Sequence, residues 1–524
     1  MIFLFSVWVV LVLVLFVGYW LFGLLGYFFT LNLLFNYWGF GESVFIFDKF
    51  TVSVLVMLGI CYFYVYFYTN HYFGSGSIEV WLNIMICLFV GIMASLVSTG
   101  DYLLTLVFWE YLGVVSFFLI LFYDSYLSLR ASVITLVSSR FGDVCLFLLL
   151  CVSSYYLSNS LVVGLVLFFL IVFTKSASFP FISWLLEAMR APTPVSSLVH
   201  SSTLVAAGVW FSIRYDILLC LNNSVYYSSL LITILITGIC SLFYYDLKKI
   251  VALSTCNNIS WCLLYLVYGD LVIALYQLIS HGVSKCMLFI LVGDVMSGAG
   301  GAQASNCVYG SRLYSNWSIF SLFCVILGLS GAPFIGVFFT KHFLLTNFMV
   351  GYNIILVVFV LSLVLLSYLY SFRLCVILVS IKSSVVLGVL YFFNSGVIVY
   401  IWLFVNYFIF FSLDEKVLLN NIVSGSLLIF QLVSVGVVWF MYNSLILSKW
   451  SSSLFGCDNI VELCYSLFFK IINVVSFMFY RWDSYILYGF GGKGSKILNM
   501  FDSSMLNITI LLISLCLVCF SIIY

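Results

Sequence analysis

Long apolar stretches follow one another down the chain, separated by short polar intervals. A helix needs about 20 apolar residues to cross a bilayer, and about 14 to 15 segments meet that length. The first runs from about 3 to 28, in MIFLFSVWVVLVLVLF and beyond. Lacking a basic leading region and a cleavage site, it reads as a membrane helix rather than a targeting peptide. A polar interval from Asn36 to Lys49 reads as a loop. Spans then fall near 50–68, 79–98, 102–123, 130–157 and 161–187, and a further helix carries His200. Arg214 and Asp216 read as the next loop, and Asp246-Leu247-Lys248-Lys249 as a compact charged turn. Spans follow near 228–245, 250–268, 270–296, 316–345, 351–372, 386–412, 422–443 and 505–523. The fold class is all-α, a polytopic membrane protein.

Two spans are interrupted by proline, at Pro180 and at Pro333. Each follows a helix rich in polar residues. Paired broken helices in corresponding positions point to inverted repeats with an ion path at their interface. The repeats would cover 79–215 and 228–372, after N-terminal spans and a loop in 1–78. C-terminal spans fill 373–457. Residues 458–500 carry seven charges, too many for two ordinary spans. This stretch reads as a lateral amphipathic helix with Phe468, Phe469, Phe477 and Phe479 on its apolar side, broken near Gly489–Gly494. Residues 501–524 hold a terminal anchoring span.

The polar positions inside the spans carry the chemistry. The stretch from Thr174 to Ile213 holds three of the four prolines, together with Lys175 and His200. Glu110 lies within an apolar span. Arg140 and Asp143 are three apart and share a helix face. Gln277, His281 and Lys285 are spaced four and four and stack on one face. Lys341 and His342 follow the second break. An ionisable group inside a bilayer is costly and marks an ion or proton path by default. Each group also has a plainer reading: Glu110 as a neutralised structural carboxylate, the Arg140–Asp143 pair as a clamp between helices, a lone histidine as a satisfied core residue.

Composition narrows the rest. The chain of 524 residues is 65% hydrophobic and 7% charged, with a mean hydropathy of +1.25. A net charge of +1 and the lack of a basic patch give no sign of nucleic acid. The sixteen cysteines are scattered, and the only CxxC, Cys516 and Cys519, sits in the last apolar stretch. They read as small packing residues, not as disulfides or metal ligands. No dinucleotide, flavin, haem or iron–sulfur motif is present, and GFGGKGS lacks phosphate-loop spacing. No cofactor or metal is expected in this chain. Few charges and 54 phenylalanines suit a chain made close to its membrane, and favour mitochondria over bacteria.

LVFWEYLGVVSFFLI with SSRFGD, TKSASFPFISWLLEAMRAPTPVSSLVHSSTLVAAGV, DLKKIVALSTCNNIS, LISHGVSKCMLFILVGD and GLSGAPFIGVFFTKH occur in that order. Together they resemble the motifs of the subunit 5 family of NADH dehydrogenase. That resemblance implies an antiporter-like subunit in the membrane arm of respiratory complex I, which moves protons while quinone is reduced elsewhere. It implies a multi-pass location in the mitochondrial inner membrane, or a bacterial plasma membrane. Partners would be the sister subunits 2 and 4, supernumerary subunits and lipid. FMN, iron–sulfur clusters and ubiquinone would sit in partner subunits. The family's glutamate–lysine coupling pair looks like Glu110 and Lys175, its relay histidine like His200, its central lysine like Lys285 and its terminal lysine like Lys341. Arg140 and Asp143 match a coupling or structural pair, and His281 a relay position. Gln277 departs from a family histidine and His342 from a family aspartate. The rival class is an Mrp-type cation/proton antiporter subunit, and a further one a structural subunit whose path has decayed.

Overall fold

The computed structural model describes residues 29–33, 43–74, 76–154, 161–215, 224–308, 316–333, 335–351, 354–379, 396–412, 421–441 and 466–476, with positions 463 and 484. The expected first span, the anchoring span 501–524 and most of 458–500 lie outside them. The chain divides into two compact units, Met1–Phe455 and Gly456–Tyr524.

The first unit opens on an antiparallel ribbon, β1 (Phe29–Leu33) paired with β2 (Ser43–Phe47). The second strand corrects the loop expected over 36–49. SVFIF is β-branched and aromatic, and such residues favour a pleated strand. Its edge is used: Val44 N donates to Asp101 Oδ2 at 2.6 Å, and Gly100 N donates to Val44 O at 2.8 Å. Asp48 then opens α1 through a capping box with Thr51.

The helices are α1 (Lys49–Phe73), α2 (Ser77–Ser98), α3 (Tyr102–Leu121), α4 (Tyr126–Ser154) and α5 (Leu161–Ser176). After a break come α6 (Ser183–Ala188), α7 (Thr193–Leu198), a π-helical turn (Val199–Thr203) and α8 (Leu204–Tyr215). Then follow α9 (Ser224–Phe243), α10 (Leu247–Val267), α11 (Leu271–Gly298) and α12 (Asn316–Ser330). A second break leads to α13 (Gly336–Gly351), α14 (Ile354–Val379), α15 (Gly396–Ser412) and α16 (Asn421–Met441). Ten helices among the described residues are long and apolar enough to cross a membrane. Arg214 lies on the last turn of α8, not in a loop, and its Nη1 donates to Asp48 Oδ2 at 2.6 Å. In the second unit, the described helix Ser466–Ser476 is exposed along its length.

Burial runs opposite to hydropathy. The span Thr193–Tyr215, α10 and α11 are each 94% buried, while α16 is 22% buried. The buried three carry Ser196, Thr203, Asn257 and Asn258 together with His200, Lys248, His281 and Lys285. Helices that are apolar all round can face lipid, whereas polar side chains must turn inward to find partners. The described helices of the first unit therefore place polar groups at their centre and apolar surface outside.

Both breaks fall where proline predicted them. A broken helix frees carbonyls that lipid cannot satisfy, so the surrounding protein must do so. At the first, Ser178 N donates to Phe173 O at 3.2 Å and Trp184 Nε1 to Thr174 O at 3.0 Å. The Cys256 thiol donates to Ala177 O at 3.1 Å. Ala177 holds a φ of 55°, a left-handed conformation that costs about 1–3 kcal/mol for a residue with a side chain. At the second break, Lys341 Nζ donates to Ser330 O at 2.6 Å and Gln431 Nε2 to Gly331 O at 2.7 Å. Cys61, Cys256, Cys262 and Cys286 are buried free thiols, as packing residues should be.

Candidate proton path

The first group of charges forms a row. Glu110 on α3 pairs with Arg140 on α4, as its carboxylate accepts from Nη1. Arg140 Nη1 also lies 3.7 Å from Asp143, one turn along α4. Asp143 in turn lies 4.0 Å from the ammonium of Lys175 at the end of α5. Positive and negative groups alternate from an outward-facing end, where Glu110 and Arg140 are 37% and 40% exposed, to Lys175, which is fully buried. This revises two expectations. Glu110 is not buried within the chain, and its direct partner is Arg140 rather than Lys175. On a helix packed between α2 and α4, position 110 falls toward the outer edge of the seam. Asp143 occupies the place beside the lysine, so the Arg140–Asp143 pair links the glutamate and the lysine.

Lys175 also lies over the ring of Trp109, 5.1 Å from its centroid. A small cavity, no larger than one water needs, is lined by both Lys175 and His200, with Ser116, Thr135, Ser139, Trp184, Ile120 and Leu204 also in its wall. His200 is fully buried on the π-helical turn. Neither ring nitrogen has a well-aligned hydrogen-bond partner, the nearest acceptor being the Ala188 carbonyl. A π turn widens the helix by one residue and recurs at functional sites. Here it turns the imidazole into the cavity. Nothing in the sequence signalled the π turn beyond the polar run HSST after two prolines.

The second group lies on α11. Gln277, His281 and Lys285 are all buried on one face, as their spacing requires. Gln277 Oε1 accepts from Thr340 Oγ1 at 2.8 Å. The Lys285 ammonium donates to Ser254 Oγ on α10. Trp402 Nε1 donates to Ser284 Oγ at 2.9 Å, which fixes the turn of helix beneath the lysine. A second small cavity, with room for about one water, opens beside Lys285, where Ser254, Asn258, Ser330 and Ser371 share its wall with Ile250, Leu288, Ile326, Leu329 and Leu374. On its far wall, Ser330 receives Lys341, whose ammonium also donates to Ser367 Oγ at 2.8 Å and lies 4.2 Å above the Tyr368 ring. Lys341 thus caps the broken helix at Pro333 and meets the cavity beside Lys285 only through Ser330. His342, which stands in the place of an acid, is buried beside Phe338 at 6.4 Å between rings.

One helix joins the two groups. α10 places Lys248 against the first break, where Nζ donates to Ala191 O at 3.2 Å. Further along it supplies Cys256 to that break and Ser254 to Lys285. Lys248 is 4% exposed, so the charged turn expected at Asp246–Lys249 is half a surface ion pair, Lys249–Asp246 at 3.2 Å, and half an interior lysine. The hydroxyls and amides of α10 (Ser254, Asn257, Asn258, Ser260) were the signal that this helix is interior. In sum, buried titratable groups are separated by hydroxyls and by two small cavities whose walls mix hydroxyls with apolar side chains. That arrangement suits stepwise proton transfer, in which each group needs only a neighbour or one water within reach.

Comparison with known proteins agrees with this geometry. The family described as NADH:quinone oxidoreductase/Mrp antiporter, TM, matches residues 99–367, the stretch that holds Glu110, Arg140, Asp143, Lys175, His200, Lys285 and Lys341. The NADH-ubiquinone oxidoreductase chain 5 of Caenorhabditis elegans is 32% identical over 66% of this chain and 67% of its own length. That of Anopheles arabiensis is 31% identical over 59% of this chain and 84% of its own. The match to the Aedes aegypti protein, at 31% identity, spans 56% of that protein, so the chain covers little more than half of some relatives. Among solved structures, the membrane-bound sulfane sulfur reductase, an archaeal respiratory membrane complex, superposes with a TM-score of 0.65 at 17% identity. It covers 83% of this chain and 93% of that one. The Mrp complex from Dietzia sp. DQ12-45-1b gives 0.60 at 18%, over 86% and 58%. The chain belongs to the NADH:quinone oxidoreductase/Mrp antiporter family of membrane proteins and, within it, stands with the chain 5 subunits of NADH-ubiquinone oxidoreductase.

Proposed function

We propose that this chain is the antiporter-like proton-translocating subunit of a membrane-bound NADH:ubiquinone oxidoreductase. In this reading it carries protons through Glu110, Lys175, His200, His281, Lys285 and Lys341, with Arg140 and Asp143 linking the first two. FMN, iron–sulfur clusters and the quinone belong to partner subunits, and the energy of their reaction reaches this chain through its contacts. The observation that carries the proposal is the pair of buried lysines gathered at one small cavity: Lys285 lines it and donates to Ser254, and Lys341, outside the lining, donates to the carbonyl of Ser330, which lines it. Unpaired buried charges cost several kcal/mol each, and a chain without a use for them would be expected to lose them. Gln277 holds Thr340 but cannot be protonated, so the relay along α11 starts at His281. The proposed location is the mitochondrial inner membrane, with subunits 2 and 4-like neighbours, and the segment 458–500 as a brace along them.

The test is association. Pulled from its membrane under mild detergent, the chain should copurify with flavin and iron–sulfur absorbance and with NADH oxidation. A complex free of both, driving sodium against protons, would instead assign it to the Mrp antiporters.

A second expectation concerns the outward end of the row. Glu110→Gln keeps the volume and a hydrogen bond to Arg140 but removes the charge. It is expected to lower electron-transfer-driven proton uptake while assembly stays intact. Unchanged uptake in the assembled variant would leave Glu110 a packing residue.

A further inference from the structure

Lys341 has no acid beside it. It follows the second break on α13 and is buried, and among the described residues no carboxylate lies within 4.0 Å of its nitrogen. A lysine ammonium carries three donors. Two contacts go to oxygens, Ser330 O at 2.6 Å and Ser367 Oγ at 2.8 Å. Ser367 gives its own proton to Val364 O at 2.6 Å, so toward the lysine its oxygen accepts. Both acceptors are neutral. The third contact is the ring of Tyr368, whose centroid lies 4.2 Å from the same nitrogen.

That ring is held in place. Tyr368 is fully buried on α14 and follows Ser367, so one turn of that helix supplies two of the three contacts. The backbone of the break closes on the pair at Gly331, which has a φ of 94°. A Cβ there would stand 3.5 Å from both Lys341 Cδ and Tyr368 Oη. The first break shows a related arrangement with one difference. Lys175 lies over Trp109 at 5.1 Å but also has Asp143 at 4.0 Å. Lys285, inside an unbroken helix, lies over no ring among the described residues. At Lys341 the ring therefore stands alone where Lys175 has a ring and a carboxylate.

We propose that Tyr368 is a positioning residue for proton transfer at Lys341, its π face standing in for a counter-charge. This rests on the proton-moving reading above. An aromatic face attracts an ammonium through its quadrupole but carries no net charge. The loaded site holds one positive charge. When the N–H bond breaks and the proton leaves to water, the amine is neutral and no charge stays behind. A carboxylate in the same place would be left buried and unpaired at that step, which is costly. The ring neither gives nor takes the proton. It holds Nζ against Ser330, the residue that lines the cavity beside Lys285.

The test uses the assembled complex, with NADH-driven proton uptake measured in membrane vesicles and the thermal midpoint measured after solubilisation. Tyr368→Phe keeps the ring and should keep uptake. Tyr368→Leu keeps apolar bulk but removes the π face, and should lose uptake with the complex assembled. Equal losses in the two would place the effect on the hydroxyl, and full uptake in Tyr368→Leu would leave the ring as filler. Either result overturns the proposal. The midpoint supplies a readout that packing alone would not move. Tyr368→Leu should lower it more beside Lys341 than in a Lys341→Met background, because a directly coupled pair is non-additive. An equal fall in both backgrounds overturns the proposal. If Tyr368→Leu fails to assemble, adding Lys341→Met decides. Assembly of the double variant shows that the ring is needed because of the lysine, and continued failure shows that it only packs. Lys285→Met is the control. If it leaves uptake unchanged, the proton-moving reading fails and takes this role with it. If it abolishes uptake while Tyr368→Leu does not, only the role of Tyr368 fails.

Discussion

Lys285→Met should stop proton transfer through this chain, with a loss of about 100-fold or more, while the complex still assembles. Methionine keeps much of the length of the lysine stem and fills irregular space without strain. The partner left behind is not stranded, since Ser254 Oγ already donates to Val251 O at 2.8 Å. What disappears is the titratable group that lines the cavity between Ser254 and Ser330. Gln277→Ala is the matched comparison on the same face. It removes an acceptor from Thr340, whose hydroxyl has Val337 O at 2.9 Å as another, so the cost is about 1 kcal/mol and the effect on uptake small. Proton uptake driven by NADH in vesicles separates the two. Equal losses would mean that the face matters for packing and not for the lysine.

Asp143→Ala is expected to be the most destabilising single change in the first group. Asp143 is the only carboxylate within 4.0 Å of Lys175 among the described residues, and both are buried. Removing one partner of a buried pair costs roughly 3–5 kcal/mol when the other keeps its charge, and less if the lysine sheds its proton. The Trp109 face offers only a partial substitute, at 5.1 Å. The thermal midpoint of the solubilised complex should therefore fall. Adding Lys175→Met should recover most of that loss, because no unpaired charge remains, yet proton uptake should stay low. Non-additivity of this kind is the signature of a directly coupled pair. A single Asp143→Ala variant as stable as the original would show that Lys175 does not depend on it.

The spans that fall within the described residues, and both breaks, were legible because their causes are local. Twenty apolar residues in a row can satisfy their backbone only as a helix in lipid. Proline at 180 and at 333 cannot continue one, whatever surrounds it. The face shared by Gln277, His281 and Lys285 was equally plain, since helical periodicity alone stacks every fourth residue. The family motifs added a role for each of these groups, and the match over residues 99–367 agrees with that source. The strand Ser43–Phe47 was misjudged because its polar flanks, Glu42 and Asp48, outweighed a five-residue β pattern. Its pairing and its anchor at Asp101 are tertiary.

Residue identity and spacing along the chain were enough to establish which helices form, where they break and which side chains are costly enough to need a use. Which cost is met by which neighbour was decided only in three dimensions. Glu110 finds Arg140, and Asp143 takes the place beside Lys175, because the seam between α3, α4 and α5 sets which turns face each other. Lys248 turns from a surface charge into an interior one because α10 packs against the first break. His71 reaches Asp294 across 223 residues because glycine at 293 lets α1, α7 and α11 close on one point. In each case the partner comes from another helix. A pairwise interaction that falls off within a few ångströms is invisible to periodicity along one chain, and packing alone selects it.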